Sequence, residues 1–477
     1  TSEKLSPGQL ALALEQAANE EDPHPDAPRT DELSEQIQKE RERRRREKTV
    51  PPEPPRPSKK PFPEDLERID NVIAVAESER ACPECGGERR TCGHDTSEVL
   101  EFVPAKVFVR RDLREKVVCD ACDRPHFERA AAGVRAVEGG RFGPGFVGQL
   151  LVDKFRDGLP LNRLRERFGR LGVDIPNSTL SDQVAWGAEL LRPLWRALQI
   201  AVLDAEVLHL DATSLAFFEG GSKGSRKGAK KKLGTLWGYV GDTDSALYLF
   251  APSGHASLDD DTAIGPEDFL GLREGLTVAD AAGIFDKTFQ REGIIECGCH
   301  MHARRYFKKA FDAGDKRAAL PLQAWQALFK IEEDGRLLDP EQRLALRQER
   351  SSPLFMRLLE WAVREKDRER LSSPLGKGLG YLVRQSEPLG MFLVDGRVPM
   401  DNGIVERLHI RAALTRKNYL FAGSMRAARD TAVVYSVLGS CALCGLDPVR
   451  YLAEVIPVLA RGVIQRDVHQ LLPRNFA

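Results

Sequence analysis

Two Cys-x-x-Cys pairs, Cys82-Pro83-Glu84-Cys85 and Cys119-Asp120-Ala121-Cys122, are separated by 33 residues. Each knuckle presents two thiolates, and two knuckles supply the four ligands of one tetrahedral Zn2+. Gly86 and Gly87 permit the tight turn after the first pair. Four thiolates leave no open coordination position, so a structural zinc is expected rather than a catalytic one. Cys92 and His94 lie between the knuckles as alternative ligands. A second group is acidic. Asp211 closes the apolar run 206–211, Asp280 follows Leu276–Val278, and Glu406 lies in Asp401-Asn402-Gly403-Ile404-Val405-Glu406-Arg407. Two carboxylates at strand ends and a third on a facing helix are hard oxygen ligands that suit two Mg2+ (or Mn2+) ions. Cys299 and His302 have metal-ligand spacing, but packing or hydrogen bonding that holds the adjacent strand is the expected role.

The elements that must position these groups follow from periodicity. Residues 206–211, 236–240 and 246–250 alternate or run apolar as strands, with Gly241-Asp242 as a turn. Short strands at 276–278 and 294–297 follow, then a basic helix over 303–311. A strand hairpin over Glu98–Val109 is expected between the cysteine pairs, as in a zinc ribbon. Residues 141–200 read as helices with a Gly172 stop and Ser178 as an N-cap, a pattern that suits a helix-turn-helix. Residues 315–390 and the final 70 are also helical. Prolines at 51, 52, 54, 55, 57, 61 and 63 make an extended linker.

Composition bounds the partners. Lys+Arg is 71 and Asp+Glu is 72, a net charge of -1. That sum hides opposed segments. Acidic residues gather in the N-terminal tail and at 259–261, and basic ones at 41–48, 223–232, 304–309 and 407–417. Lys223, Arg226, Lys227, Lys230, Lys231 and Lys232 fall in a glycine-containing stretch read as a flexible hairpin loop that orders on phosphate. Arg304 and Arg305 lie on the expected basic helix over 303–311, and Arg407, Arg411, Arg416 and Lys417 flank Glu406. The Arg41–Lys48 run reads either as a solvated helix face or as an arm for a phosphate backbone. The N-terminus is polar and acidic with no leader-like apolar core, and no apolar run approaches the roughly 18 residues of a membrane span. A cytoplasmic, nucleoid-associated protein with reduced cysteines is expected.

The motifs resemble transposases of the insertion sequence 66 family, acidic-triad enzymes, over about residues 60–477. Cys82–Gly87 is similar to the opening of that family's zinc-binding domain. Asp157–Arg163 and Ser178–Leu180 match its helical DNA-binding segment. Asp211-Ala212-Thr213, Asp280 and Glu406 stand at its three catalytic carboxylates, and Cys299-His300-Met301-His302 with Arg304-Arg305 resembles its C-x-x-H and Arg-Arg block. Asp401–Arg407 with Arg416–Ser424 is the most specific match. Ala212, where the family has an acidic residue, and Gly403, where it has a second asparagine, depart from the pattern.

The resemblance implies a multidomain α+β protein with a ribonuclease-H-like α/β core carrying an all-helical insertion. The expected division is a tail and Pro-rich linker at 1–63, a zinc ribbon at 64–130 and a helical DNA-binding domain at 131–200. Core residues 201–312 follow, then the helical insertion 313–395, the Glu-bearing core helix 396–425 and a C-terminal helical domain 426–477. The implied activity is Mg2+-dependent cleavage at the terminal repeats of a mobile element and joining of the freed 3′ hydroxyls to target DNA. Asn402, Cys299 and His302 are expected to support the site. Implied partners are DNA, at least a second copy of the chain and small accessory proteins. The alternatives are a transposase-derived DNA-binding protein that no longer cuts, and a general nuclease.

Overall fold

The structure, a computed structural model, describes residues 30–47, 107–113, 116–119, 126–129, 135, 140–220, 228–252, 265–271 and 273–476. Helix α1 is Thr30–Glu47, and β1 (Lys116–Cys119) and β2 (His126–Arg129) form an antiparallel hairpin with Cys119 opposite His126. Helix α2 (Pro144–Leu151) continues into a π-helical turn, Val152–Arg156, and is followed by α3 (Leu161–Arg170) and α4 (Asn177–Leu203). Next come β3 (Val207–Glu219), β4 (Lys230–Gly241), β5 (Ser245–Ala251), α5 (Pro266–Phe269), β6 (Gly275–Ala279), α6 (Asp286–Phe289) and β7 (Ile294–Gly298). The rest is helical: α7 (His300–Asp312), α8 (Ala319–Asp334), α9 (Pro340–Leu346), α10 (Ser352–Lys366), α11 (Pro374–Arg384), α12 (Ser386–Gly390), α13 (Gly403–Tyr419), α14 (Met425–Leu443) and α15 (Pro448–Ala460).

Five strands make one mixed sheet in the order β5-β4-β3-β6-β7. β5, β4 and β3 are antiparallel neighbours, whereas β3, β6 and β7 run parallel. Each residue of β5 is buried, as expected of a strand covered on both faces. Its outer edge is closed by α14. The Ser436 and Ser440 hydroxyls, one turn apart, accept from the Tyr248 and Ala246 N–H groups at 2.7 and 2.9 Å. Two side chains on a helix therefore substitute for a sixth strand and remove an exposed edge. Helices α2, α4, α14 and α15 share one apolar core with this side of the sheet, including Leu150, Leu194, Trp237, Val437 and Leu452.

A second core lies in the helical region, where Phe307, Trp325, Phe355, Trp361 and Phe392 are buried together. Helix α1 contributes Leu33 and Ile37 to it, and Glu40 forms a buried ion pair with Arg350. Arg44 pairs with Asp334, Arg43 with Glu349 at 2.7 Å, and Arg41 donates to Gln323 at 3.0 Å. Arg41, Arg43 and Arg44 thus have partners in the helical region, the Arg43 pair on an exposed face.

Two local expectations are corrected. Helix α4 begins at Asn177 with Pro176 in the capping position and no side-chain cap, so Ser178 lies inside it. The proline lacks an N–H and has a fixed φ, and its carbonyl accepts from Leu180 at 3.0 Å, which starts the helix earlier. Lys230, Lys231 and Lys232 are in strand β4, opposite Glu219, Phe218 and Phe217, rather than in a flexible loop. β3 runs on to Glu219, which gives these lysines backbone partners and Lys232 an ion pair with Glu219. Of the expected hairpin at 98–109, residues 107–109 have no strand structure and 98–106 lie outside the described residues.

Candidate active site

Strand register brings the first two carboxylates level. His209 lies opposite Val278 in the parallel β3/β6 pair, so two residues further on Asp211 stands level with Asp280. Ala279 lies opposite Gly298 in β6/β7, which sets Asp280 level with Cys299. All three residues therefore lie beyond, or at the end of, the parallel pairing, at the carboxyl ends of β6 and β7. That crevice is the usual ligand position of open α/β sheets.

Glu406 is in the first turn of α13. Asn402, fully buried, fastens the start of that helix to both sides of the crevice. Its side-chain amide donates to the Leu210 carbonyl at 2.7 Å, and its backbone N–H donates to Cys299 Sγ at 3.3 Å. Its Oδ1 lies 2.9 Å from His209 Nδ1. One asparagine thus fixes the helix against the residue preceding Asp211 and the residue level with Asp280. Gly403 follows with its N–H donating to Asp401 at 2.7 Å, and a Cβ there would sit 2.6 Å from the Asp401 carboxylate. A side chain at 403 would have to displace that contact.

The three carboxylates share one electrostatic neighbourhood. Burial pushes the Asp211 carboxyl up to about 7; the Ala212 N–H opposes this, and the charges of Asp280 and Glu406 add to it. That N–H donates to Asp211 at 2.8 Å. Asp280 Oδ1 and Glu406 Oε1 are buried without a hydrogen-bond partner. Buried carboxylate oxygens normally have partners. Unpaired oxygens in a cluster of negative charge are what a divalent cation with oxygen ligands would satisfy, so the residues present fit Mg2+ or Mn2+.

Two neighbours were not singled out in the sequence. His409 Nε2 lies 3.6 Å from Asp211 Oδ2, and its Nδ1 lies 3.1 Å from the Tyr248 hydroxyl. Burial brings His409 down to about 4, so it is neutral near pH 7. Its position three residues after Glu406 places both on one helix face, which is the signal that finds it. Gly238, opposite Asp211 in β4, makes room for this histidine. A Cβ at 238 would be 2.4 Å from His409 Cε1. Gly238→Ala is expected to shift α13 and cost about 1–3 kcal/mol, read as a lower urea midpoint. An unchanged midpoint would show that the close packing is not needed.

The basic residues divide. Arg305 lies 3.9 Å from Glu406, and Arg416 is bound to the Ser214 carbonyl and, at 3.1 Å, to its hydroxyl. Arg411 lies close enough to Arg156 and Asp157 to influence both. Arg304 shares α7 with Arg305, and Arg407 and Lys417 lie on α13 with Glu406. Lys230, Lys231 and Lys232 are exposed on β4. Lys223, Arg226 and Lys227 lie outside the described residues, as do Cys82, Cys85 and Cys122. Cys119 ends β1. Among the described residues no helix is long and apolar enough to cross a membrane.

The site thus consists of two aspartates set level by strand register and a glutamate in the first turn of the next helix, α13. Residues 139–430 match the model of the transposase IS66 family, and residues 79–123 match the zinc-finger binding domain of transposase IS66. The chain belongs to the IS66 family of transposases, with DNA as partner and structural zinc in the finger domain. It is 33% identical over 438 residues to protein y4hP of Sinorhizobium fredii, spanning 88% of this chain and 77% of that one. Protein y4qI of the same organism is 30% identical over 435 residues, covering 89% and 78%. Protein y4jD is 30% identical over 427 residues, covering 87% and 81%.

Proposed function

We propose that this transposase cuts DNA at the terminal repeats of its mobile element and joins the freed 3′ hydroxyls to target DNA, with Asp211, Asp280 and Glu406 as the catalytic carboxylates. The observation that carries this reading is that register sets Asp211 and Asp280 level at the crevice, with Asp280 and Glu406 near enough for their charges to raise the Asp211 carboxyl. The strand order and directions support a ribonuclease-H-like core with residues 313–395 as its helical insertion. Bound Mg2+ would supply charge stabilisation for the attacking and leaving oxygens of an in-line displacement.

The protein's own residues prepare that site. Asn402 holds the glutamate helix against the aspartate strand. His409, neutral and buried, stands 3.6 Å from Asp211 on one side. Arg305, 3.9 Å from Glu406, and the exposed Lys230, Lys231 and Lys232 on β4 offer positive charge to DNA phosphates. The finger domain and helices α2–α4 would recognise the repeats. Pairing two ends calls for at least a dimer on the nucleoid, with the element's small accessory proteins as further partners.

The test is incubation of the protein with DNA carrying or lacking the element's ends, with Mg2+, Mn2+ or EDTA. End-dependent nicking that EDTA abolishes is expected. Cleavage without end preference would indicate a general nuclease, and end binding without any cleavage a DNA-binding derivative. The zinc assignment predicts about one zinc per chain in the finger, lowered by Cys82→Ser. Equal zinc in wild type and variant, measured by elemental analysis, would remove Cys82 from the ligand set.

A further inference from the structure

Cys299, His302 and Glu406 form a group that the carboxylate chemistry does not use in full. One potential ligand atom from each lies within 4.8 Å of the other two. His302 Nδ1 and Glu406 Oε1 face each other at 3.5 Å, and both are buried atoms with no hydrogen-bond partner. The Cys299 sulfur is fully buried beside them and accepts from the Asn402 N–H. The backbone explains the convergence. Cys299 caps α7, His302 is in its first turn, and Asn402 ties α13 to the cysteine.

We infer that this group is a second metal site, for a borderline divalent ion of the Zn2+ class, and that its occupation withholds Glu406 from the catalytic cluster. A thiolate, an imidazole and a carboxylate suit Zn2+ or Co2+ and do not suit Mg2+. Bond lengths of roughly 2.0–2.3 Å put tetrahedral donors roughly 3.3–3.8 Å apart, so a small closure of the three side chains completes the geometry. On binding, the Cys299 S–H bond breaks, its proton leaves to solvent and a sulfur–metal bond forms. The fourth position remains for water. Glu406 Oε1 is then held by this ion and is not free for a cation shared with Asp211 and Asp280. Zinc is therefore an inhibitor of this enzyme at concentrations above those that fill the finger. The inhibition rests on the role proposed for Glu406, whereas the binding does not.

The test titrates Co2+ into full-length protein whose finger already holds zinc, following the near-ultraviolet thiolate-to-cobalt absorption band. One further equivalent with this band is expected. Cys299→Ala removes the band, and His302→Gln weakens Co2+ binding at least tenfold, as loss of a metal contact does. Because Cys299 is buried, its variant is first compared with wild type by circular dichroism; should it unfold, the partly exposed His302→Gln carries the test. Asp211→Asn keeps the band, which separates this site from the carboxylate cluster. The inference is overturned if wild type shows no band, if folded Cys299→Ala or His302→Gln binds Co2+ as wild type does, or if Asp211→Asn abolishes the band. These readouts do not depend on DNA cleavage, so an inactive protein that still shows the band would sink the transposition reading alone.

Discussion

Asp280→Asn is expected to lower the rate of divalent-dependent DNA cleavage by on the order of 10²–10³, the usual size for losing one electrostatic contact to a developing charge. The substitution keeps the shape of the side chain and removes its charge. Three carboxylates in one crevice repel one another, and burial raises Asp211 to about 7 with Asp280 adding to the rise. The amide therefore relieves repulsion in the metal-free protein, which should melt at the same temperature or higher. DNA binding, which draws on basic groups elsewhere, should be retained. An active site damaged by misfolding would lose stability and cleavage together. The expected signature is their separation: lost cleavage with unchanged or raised melting temperature, measured on one preparation. If Asp280→Asn cuts as fast as wild type, Asp280 is not a catalytic carboxylate and the triad assignment fails.

The parts of the molecule that local chemistry dictates were legible in the sequence. Strand runs at 236–240 and 246–250 lie within β4 and β5, and the stretch 315–390 is a succession of helices broken by turns at 335–339 and 367–373. Asp211 reads in the sequence as the end of its strand, but β3 runs on to Glu219 and Asp211 lies inside it; it is the register of β3 and β6 that sets Asp211 level with Asp280. What escaped was non-local. Lys230–Lys232 look like a loop because glycine and lysine are poor strand formers, and only their pairing with 217–219 makes them a strand. The Arg41–Arg44 cluster looked free until Glu349 and Asp334, some 300 residues away, gave it partners. His409 and Gly238 matter through a contact between a helix and a strand distant in sequence. The link of Asn402 to Leu210 and Cys299 is of the same kind: the residue was expected to support the site, but its partners could not be read.

Arg347→Ala is expected to lower the unfolding free energy by about 3–5 kcal/mol, the cost of breaking a buried pair from one side. Arg347 is 1% exposed. Its guanidinium makes a two-pronged contact with Glu332 at 2.8 and 2.7 Å and donates to the Phe392 and Val398 carbonyls at 3.0 and 2.9 Å. Alanine leaves the Glu332 carboxylate without its partner, leaves the carbonyls without this donor and opens a void beside the Phe392 ring. Arg347→Met fills more of the volume and should cost less, which separates the packing loss from the polar one. Arg357, whose ion pairs lie in water, is the control, and its alanine variant should leave the urea midpoint where it was. The consequence reaches the crevice through the chain itself. Val398 and Met400 are buried just before Asn402, and the Met400 carbonyl accepts from the His300 N–H at 2.9 Å. Loosening the turn at 392–398 therefore loosens the peptide that sets the Glu406 helix. Arg347→Ala should lose cleavage together with stability, opposite to Asp280→Asn. A variant that kept its urea midpoint would mean that the helical insertion does not brace the carboxylates through this arginine.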